Sequence, residues 1–209
     1  MKASSHRVQP KPAKYIQSLN NPPMPYIPVE AHLPGITGLL EYRQDSAAPI
    51  RELTQFLLRG PSTLTEAERE LIATVVSYGN QCTFCTTAHS AAADLLLGEQ
   101  ETTTLVKIDI DGAPVSDKMK ALLRIASMVR ESGKSVTAEA IADAKAQSAT
   151  DLEIHDTVLI AALFCLYNRY VDGLATALPA DAAYYETLAG RLVNHGYTRL
   201  PQGYGHLKK

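Results

Sequence analysis

The stretch Thr65–Gly98, TEAERELIATVVSYGNQCTFCTTAHSAAADLLLG, constrains the fold more than any other part of the chain. Thr65 and Glu68 form a Ser/Thr-x-x-Glu capping box, which marks a helix start. Leu71, Ile72, Val75 and Val76 recur behind it at helical spacing. Gly79-Asn80 interrupts that run, Asn80 is a suitable N-cap for a second helix, and Gly98 is a natural C-cap. The reading is helix, short break, helix. Cys82-x-x-Cys85 falls in the first turn of the second helix, and His89 follows four residues later.

That placement has chemical consequences. A helix N-terminus carries partial positive charge and unpaired N–H groups, both of which favour a thiolate. Cys82, Cys85 and His89 are spaced i, i+3, i+7 and share one helical face. Residues three apart in a helix lie about 5 Å apart, within the span of a disulfide. The pair can therefore open and close with little backbone movement. His89 is placed to exchange a proton with Cys85, directly or through one water. Upstream, Glu70, Thr74 and Ser77 form a polar line on an otherwise apolar helix, with Glu70 the one member able to store a proton. Tyr78 and Phe84 flank the pair and are expected to wall it from solvent.

The rest of the chain reads as helices. Residues 1–34 are proline-rich (PKP, NNPPMPYIP, Leu33-Pro34-Gly35) and cannot form a long helix. They are expected to be an extended arm over the domain or a neighbouring subunit, anchored by Tyr15, Ile16, Met24, Tyr26 and Ile27, the alternative being a partly disordered tail. Residues 35–209 then form a single domain. Short helices are expected at Ile36–Arg43 and Ala47–Leu58, the second stopped by Gly60-Pro61. Glu99–Val106 is a further short helix, and LVKIDIDGAPVS is loop rather than strand. Ser116 caps a helix that ends at Gly133, and Thr137–Gln147 is the next. Thr150 and Glu153 make a second capping box before the apolar run Thr157–Leu166, which implies a central, buried helix. A last helix spans Asp181–Asn194 and closes at Gly196. The two capping boxes form a weak internal echo; in that register Cys165 aligns with Asn80, not with the cysteine pair. No strand pattern emerges, so the class is all-α.

A net charge of −2 without a basic block gives no support to nucleic-acid or membrane-surface binding. No apolar run approaches a membrane span, and the N-terminus lacks the apolar core of a secretory signal, so a cytoplasmic protein is expected. Three cysteines, two of them only three apart, suit a redox or metal site in a reducing compartment better than a secreted disulfide framework. Cys165, in the apolar run, is expected to be buried and structural. Asn168, Arg169 and Asp172 follow that run and are expected to pair with one another or to support the site across the bundle.

The string Glu70-x11-Cys82-x-x-Cys85-x3-His89, with RELIATVVSYGNQC before it and FCLYNRYVDGL near residue 170, resembles a known family. It is similar to the alkylhydroperoxidase D-like branch of the carboxymuconolactone decarboxylase superfamily, more narrowly its peroxidase-related group, over roughly Leu33–Tyr197. The resemblance implies an all-α helical bundle of that type. It also implies a proton relay of Glu70 and His89 around a redox-active disulfide of Cys82 and Cys85, with Cys85 attacking and Cys82 resolving. The implied activity is a thiol-dependent peroxidase or disulfide oxidoreductase with an antioxidant role. No organic cofactor or metal would be needed; the partners would be a hydroperoxide and an external dithiol. A homo-oligomer, built on trimers or dimers, is implied as well. One position departs from the best-studied branch: where that branch has a histidine within the Cys-x-x-Cys, this chain has Phe84, so reduction by that branch's partner is not implied.

Two other readings stand beside this one. A lactone decarboxylase of the same superfamily would not need the cysteine pair. A non-catalytic oligomeric protein could carry a vestigial site or a structural metal held by Cys82, Cys85 and His89, with His155, His195 or His206 as a fourth ligand. A thioredoxin-like reading would require strands alternating with helices.

Overall fold

The computed structural model describes residues 24–179 and 181–204. Among these residues there are nine α-helices, one 3₁₀ turn and no strand, so the chain is all-α. The helices are α1 (Ile36–Tyr42), α2 (Gln44–Arg59), α3 (Glu66–Gly79), α4 (Thr83–Leu97), α5 (Glu101–Ile108), α6 (Asp117–Glu131), α7 (Ala138–Ala146), α8 (Asp151–Gly173) and α9 (Ala182–His195). Both capping boxes form: each threonine side chain accepts from the backbone N–H three residues on, and each glutamate side chain accepts from its threonine's N–H. These are the starts of two of the three helices, with α6, that build the main core. Leu71, Ile72 and Val76 of α3 meet Leu122, Leu123 and Ile125 of α6 and Ile160 and Phe164 of α8 in one continuous apolar cluster. At about 25 cal/mol per Å² of apolar surface removed from water, such a cluster is the main source of stability.

A smaller apolar cluster lies beside this core. It joins Cys82, Phe84, Cys85 and Ala88 of α4 to Val171 of α8 and Tyr185 of α9. The cysteine pair is thus packed between helices rather than displayed on a loop.

Several expectations need correction. Asn80 is the C-cap of α3, and Cys82 itself is the N-cap of α4. Gln81 between them adopts φ 61, so the chain reverses in a single left-handed step instead of spending a residue on a separate cap. Helix α2 begins at Gln44, three residues before the expected start, which places Pro49 inside it. Helix α8 is not buried on all sides. Val158, Leu159, Ala162 and Leu166 form a stripe at helical spacing that no part of the described chain fully covers, and Cys165 lies half-buried on the same side. In the arm, Met24 and Tyr26 are exposed and do not anchor by their side chains; Ile27 is half-buried, and Leu33 is the buried contact. The arm is tied instead through its backbone, by Tyr26 N–H to the Leu174 carbonyl (3.0 Å) and Gly35 N–H to the Ala177 carbonyl (3.1 Å). Tyr15 and Ile16 lie outside the described residues. No helix among the described residues is long and apolar enough to cross a membrane.

Candidate active site

Glu70 is the centre of the site. It lies on the face of α3 turned into the bundle and is 0% exposed. A lone buried carboxylate would give up its charge; this one is held by three donors. Arg59 Nη2, at the end of α2, donates to Oε1 at 2.6 Å. Tyr197 Oη donates to the same oxygen at 2.5 Å. His89 Nδ1 lies 2.7 Å from Oε2. Burial is the largest single influence on Glu70 and pushes its pKa up. The His89 ring, the Arg59 guanidinium and the Tyr197 hydroxyl together outweigh it and hold the carboxyl below its ordinary value. Burial and the Glu70 charge push the Tyr197 phenol well above its ordinary value, so Tyr197 remains a donor. Arg59 also stacks over the Tyr197 ring, 5.1 Å from its centre.

An ionised Glu70 fixes the histidine tautomer. A carboxylate can only accept, so His89 Nδ1 carries the proton toward it and Nε2 keeps its lone pair. The imidazole is held by Phe164 edge-on at 4.5 Å and by Tyr197 stacked at 6.1 Å. His89 and Cys85 line a common cavity of about 50 Å³ with Phe84, Phe164, Leu188 and Tyr197. This volume accommodates a few small atoms or waters.

Both cysteines are free thiols and buried. The hydrogen bond from Cys85 to Cys82 raises the Cys85 pKa well above its ordinary value, and burial adds to this; Asn168 opposes it. Cys85 therefore rests as a neutral thiol that needs a base. Asn168 is part of a buried polar chain. It donates to Ser77 Oγ at 3.1 Å and accepts from Asn80 Nδ2 at 2.9 Å. Partial burial pushes the Asp172 carboxyl up, opposed by a hydrogen bond from Cys82.

The structure thus brings together all four residues expected from the sequence: Glu70 with His89 directly, His89 with Cys85 across the cavity, and Cys85 with Cys82. Phe84 is a wall, as expected. Tyr78 is not; it is 44% exposed and lies in a surface cleft with Arg130 and Ile108. Asn168 and Asp172 support the thiols, whereas Arg169 only binds the Cys165 carbonyl. Arg59 and Tyr197 were missed. Arg59 lies one residue beyond the expected Ala47–Leu58 helix and is the last residue of α2. Tyr197 follows Gly196, whose φ of 66 turns the chain back toward α2, where Gln55 accepts from the Tyr197 N–H at 2.7 Å. No three His, Cys, Asp or Glu side chains converge as metal ligands among the described residues. His155 is exposed beside Asp156, and His195 lines a separate surface groove.

Fold and site together define a helical dithiol protein with a buried carboxylate–imidazole pair. Residues 44–96, which contain Glu70, both cysteines and His89, match the carboxymuconolactone decarboxylase family model. Two solved structures share the fold. One is an uncharacterized peroxidase-related protein from Silicibacter sp. TM1040, with 23% identity, a TM-score of 0.66, and coverage of 73% of this chain and 78% of that one. The other, from Ralstonia eutropha JMP134, is described as an alkylhydroperoxidase AhpD core and an uncharacterized peroxidase-related protein. It has 21% identity, a TM-score of 0.70, and coverage of 80% of this chain and 97% of that one. No curated protein matches the chain. The family match thus covers the segment that carries the site, and the two solved structures extend the likeness in fold to most of the chain.

Proposed function

We propose that this protein is a thiol-dependent peroxidase that reduces hydroperoxides at Cys85 and is recycled by an external dithiol. The observation that carries the reading is the buried Glu70–His89 pair, which leaves an imidazole lone pair in the cavity lined by a neutral Cys85. His89 Nε2 takes the Cys85 proton, and Glu70 stabilises the imidazolium that results. The thiolate attacks the outer oxygen of a hydroperoxide, the O–O bond breaks, and the proton returns to the leaving alkoxide as an alcohol. Cys85 is then a sulfenic acid. The Cys82 sulfur attacks it, water leaves, and a Cys82–Cys85 disulfide forms. An external dithiol exchanges with that disulfide, supplies the two electrons that restore both thiols, and leaves as its own disulfide. Every step uses groups of this chain plus two substrates, and none uses an organic cofactor.

A cytoplasmic, reducing setting suits this cycle, because it supplies dithiols and keeps the resting pair reduced. A homo-oligomer is part of the proposal, supported by the uncovered apolar stripe of α8. The cysteine pair weighs against a lactone decarboxylase, which would not require it. The test is turnover of hydroperoxides with dithiol donors, followed by mass spectrometry of the oxidised protein. The expected product is a Cys82–Cys85 link with Cys165 still free. A link through Cys165, or no consumption of peroxide, would overturn the reading.

A further inference from the structure

Two arginines line the same cavity as Cys85 and His89, and the chemistry proposed above uses neither. Arg51 lies on α2 and Arg191 on α9. Both donate to the Tyr204 hydroxyl, at 3.1 Å and 3.3 Å, and both stack against its ring, 5.8 Å and 5.6 Å from its centre. Arg51 is only 7% exposed, and its Nε–H has no acceptor. A buried guanidinium N–H without an acceptor is costly, and few native sites keep one unless a ligand completes it. The local charge is unbalanced as well. Glu41 accepts from Arg51 at 3.0 Å, but it is also gripped by Arg199, at 2.8 Å from one oxygen. Arg191 has no carboxylate within ion-pair distance among the described residues. Two guanidinia therefore share one carboxylate, and the third has none among the described residues.

We infer that the cavity takes a ligand bearing a carboxylate, held by Arg51 and Arg191 beside the Tyr204 hydroxyl. The planar guanidinium fork matches a carboxylate, and the remaining lining (Phe84, Phe164, Leu188, Leu192) suits a short apolar body. The cavity is small, so this body is a few heavy atoms long. A longer ligand has somewhere to continue: Thr37, Leu188 and Arg191 also border an adjoining open groove of about 460 Å³, which Tyr204 lines too. As a substrate class this is a hydroperoxy carboxylate with its O–O group toward Cys85. That last step rests on the peroxidase reading; the anion site itself does not.

The experiment has two arms. Isothermal titration compares a short ω-hydroxy carboxylate, 4-hydroxybutyrate, with its neutral amide on the reduced full chain. The carboxylate should bind about tenfold or more tightly, the range of one or more hydrogen bonds between charged groups. Arg191→Gln should erase that preference and Arg191→Lys restore part of it, with melting temperatures showing that each variant is folded. Turnover then compares an ω-hydroperoxy carboxylate with its methyl ester. The ratio of their kcat/KM values should favour the acid and fall toward one in Arg191→Gln, mostly through KM. Equal binding of carboxylate and amide to the native protein would overturn the inference, whatever the turnover. Preferential binding of the carboxylate with no turnover of either peroxide would uphold the anion site and refute the peroxidase reading instead.

Discussion

Replacing Glu70 by glutamine tests the site because the change is nearly isosteric and its consequences are forced by the donors around it. Arg59 and Tyr197 both donate to Oε1, and His89 faces Oε2. In the glutamine variant the amide oxygen must take the first position, since an NH₂ there would confront two donors. The NH₂ group then faces His89 Nδ1 and can only donate. The imidazole must shift its proton to Nε2, and the base in front of Cys85 disappears. Loss of a positioned general base predicts a fall in turnover of about 10²–10⁴-fold. Stability should fall too. The Arg59 side chain is 5% exposed and would keep only Glu66, at 3.4 Å, as a counter-ion. Removing one member of a buried ion pair costs about 3–5 kcal/mol. For a chain of this length each kcal/mol corresponds to about 2–4 °C, so the melting temperature should drop by about 6–20 °C. The sign of the pH dependence follows from the depressed Glu70 pKa. Its contribution is fully present above the unfolded-state value, about 4.3, and is lost as pH falls through the folded value. The gap between native and variant melting temperatures should therefore be full at neutral pH and close in acid. Thermal melts across pH, with hydroperoxide turnover on the same samples, measure both effects. A variant that melts within about 2 °C of the native protein at neutral pH, with unchanged turnover, would refute the argument.

Two further predictions concern the frame around the site. Glu153 accepts from Lys118, Thr63 and the Thr150 N–H; burial pushes its pKa up, but these partners bring it down to about 2. Against its ordinary value that shift is worth about 3 kcal/mol, present above about pH 4.5 and lost as the pH falls toward 2. Glu153→Gln should lose this amount at neutral pH by denaturant titration and show a flatter acid limb. Gly35→Ala should destabilise by about 1–3 kcal/mol from its backbone alone, because φ 59 with ψ −141 is a conformation open essentially to glycine. The added methyl would also collide with the Phe84 ring. Its alkylation rate at Cys85 should therefore rise as that wall shifts.

Local signals made most of the fold readable. The two capping boxes, the Gly98 cap and the 3.6-residue apolar periodicity are interactions within one or two turns, and the helices they predict are present. The break at residues 79–82 was placed correctly but assigned wrongly. Asn80 has the better capping chemistry, yet Gln81 takes the left-handed conformation and lets Cys82 occupy the cap. The buried state of Glu70 was not legible from α3 alone, since its partners lie 11, 19 and 127 residues away in sequence. Arg59 and Tyr197 acquire meaning only once α2 and the turn after α9 meet α3. For the same reason the apolar Thr157–Leu166 run read as wholly buried. Hydrophobicity marks a face that seeks cover, but not whether the same chain provides it.

The central claim is that Cys85, served by His89 and Glu70, is the thiol that meets peroxide, and trapping its oxidised form tests this most directly. Cys85 shares the cavity with His89, whereas Cys82 lies at the helix cap in contact with Asp172. The cap position favours a thiolate by about 0.3–1 kcal/mol, less than the several kcal/mol a positioned base supplies. Cys82→Ser, given one equivalent of hydroperoxide and a sulfenic-acid trap, should carry the adduct on Cys85 when its peptides are read by mass spectrometry. Cys85→Ser should consume peroxide far more slowly and leave Cys82 reduced. An adduct that forms on Cys82 in the Cys85→Ser protein at the native rate, with Cys82→Ser inert, would contradict the account.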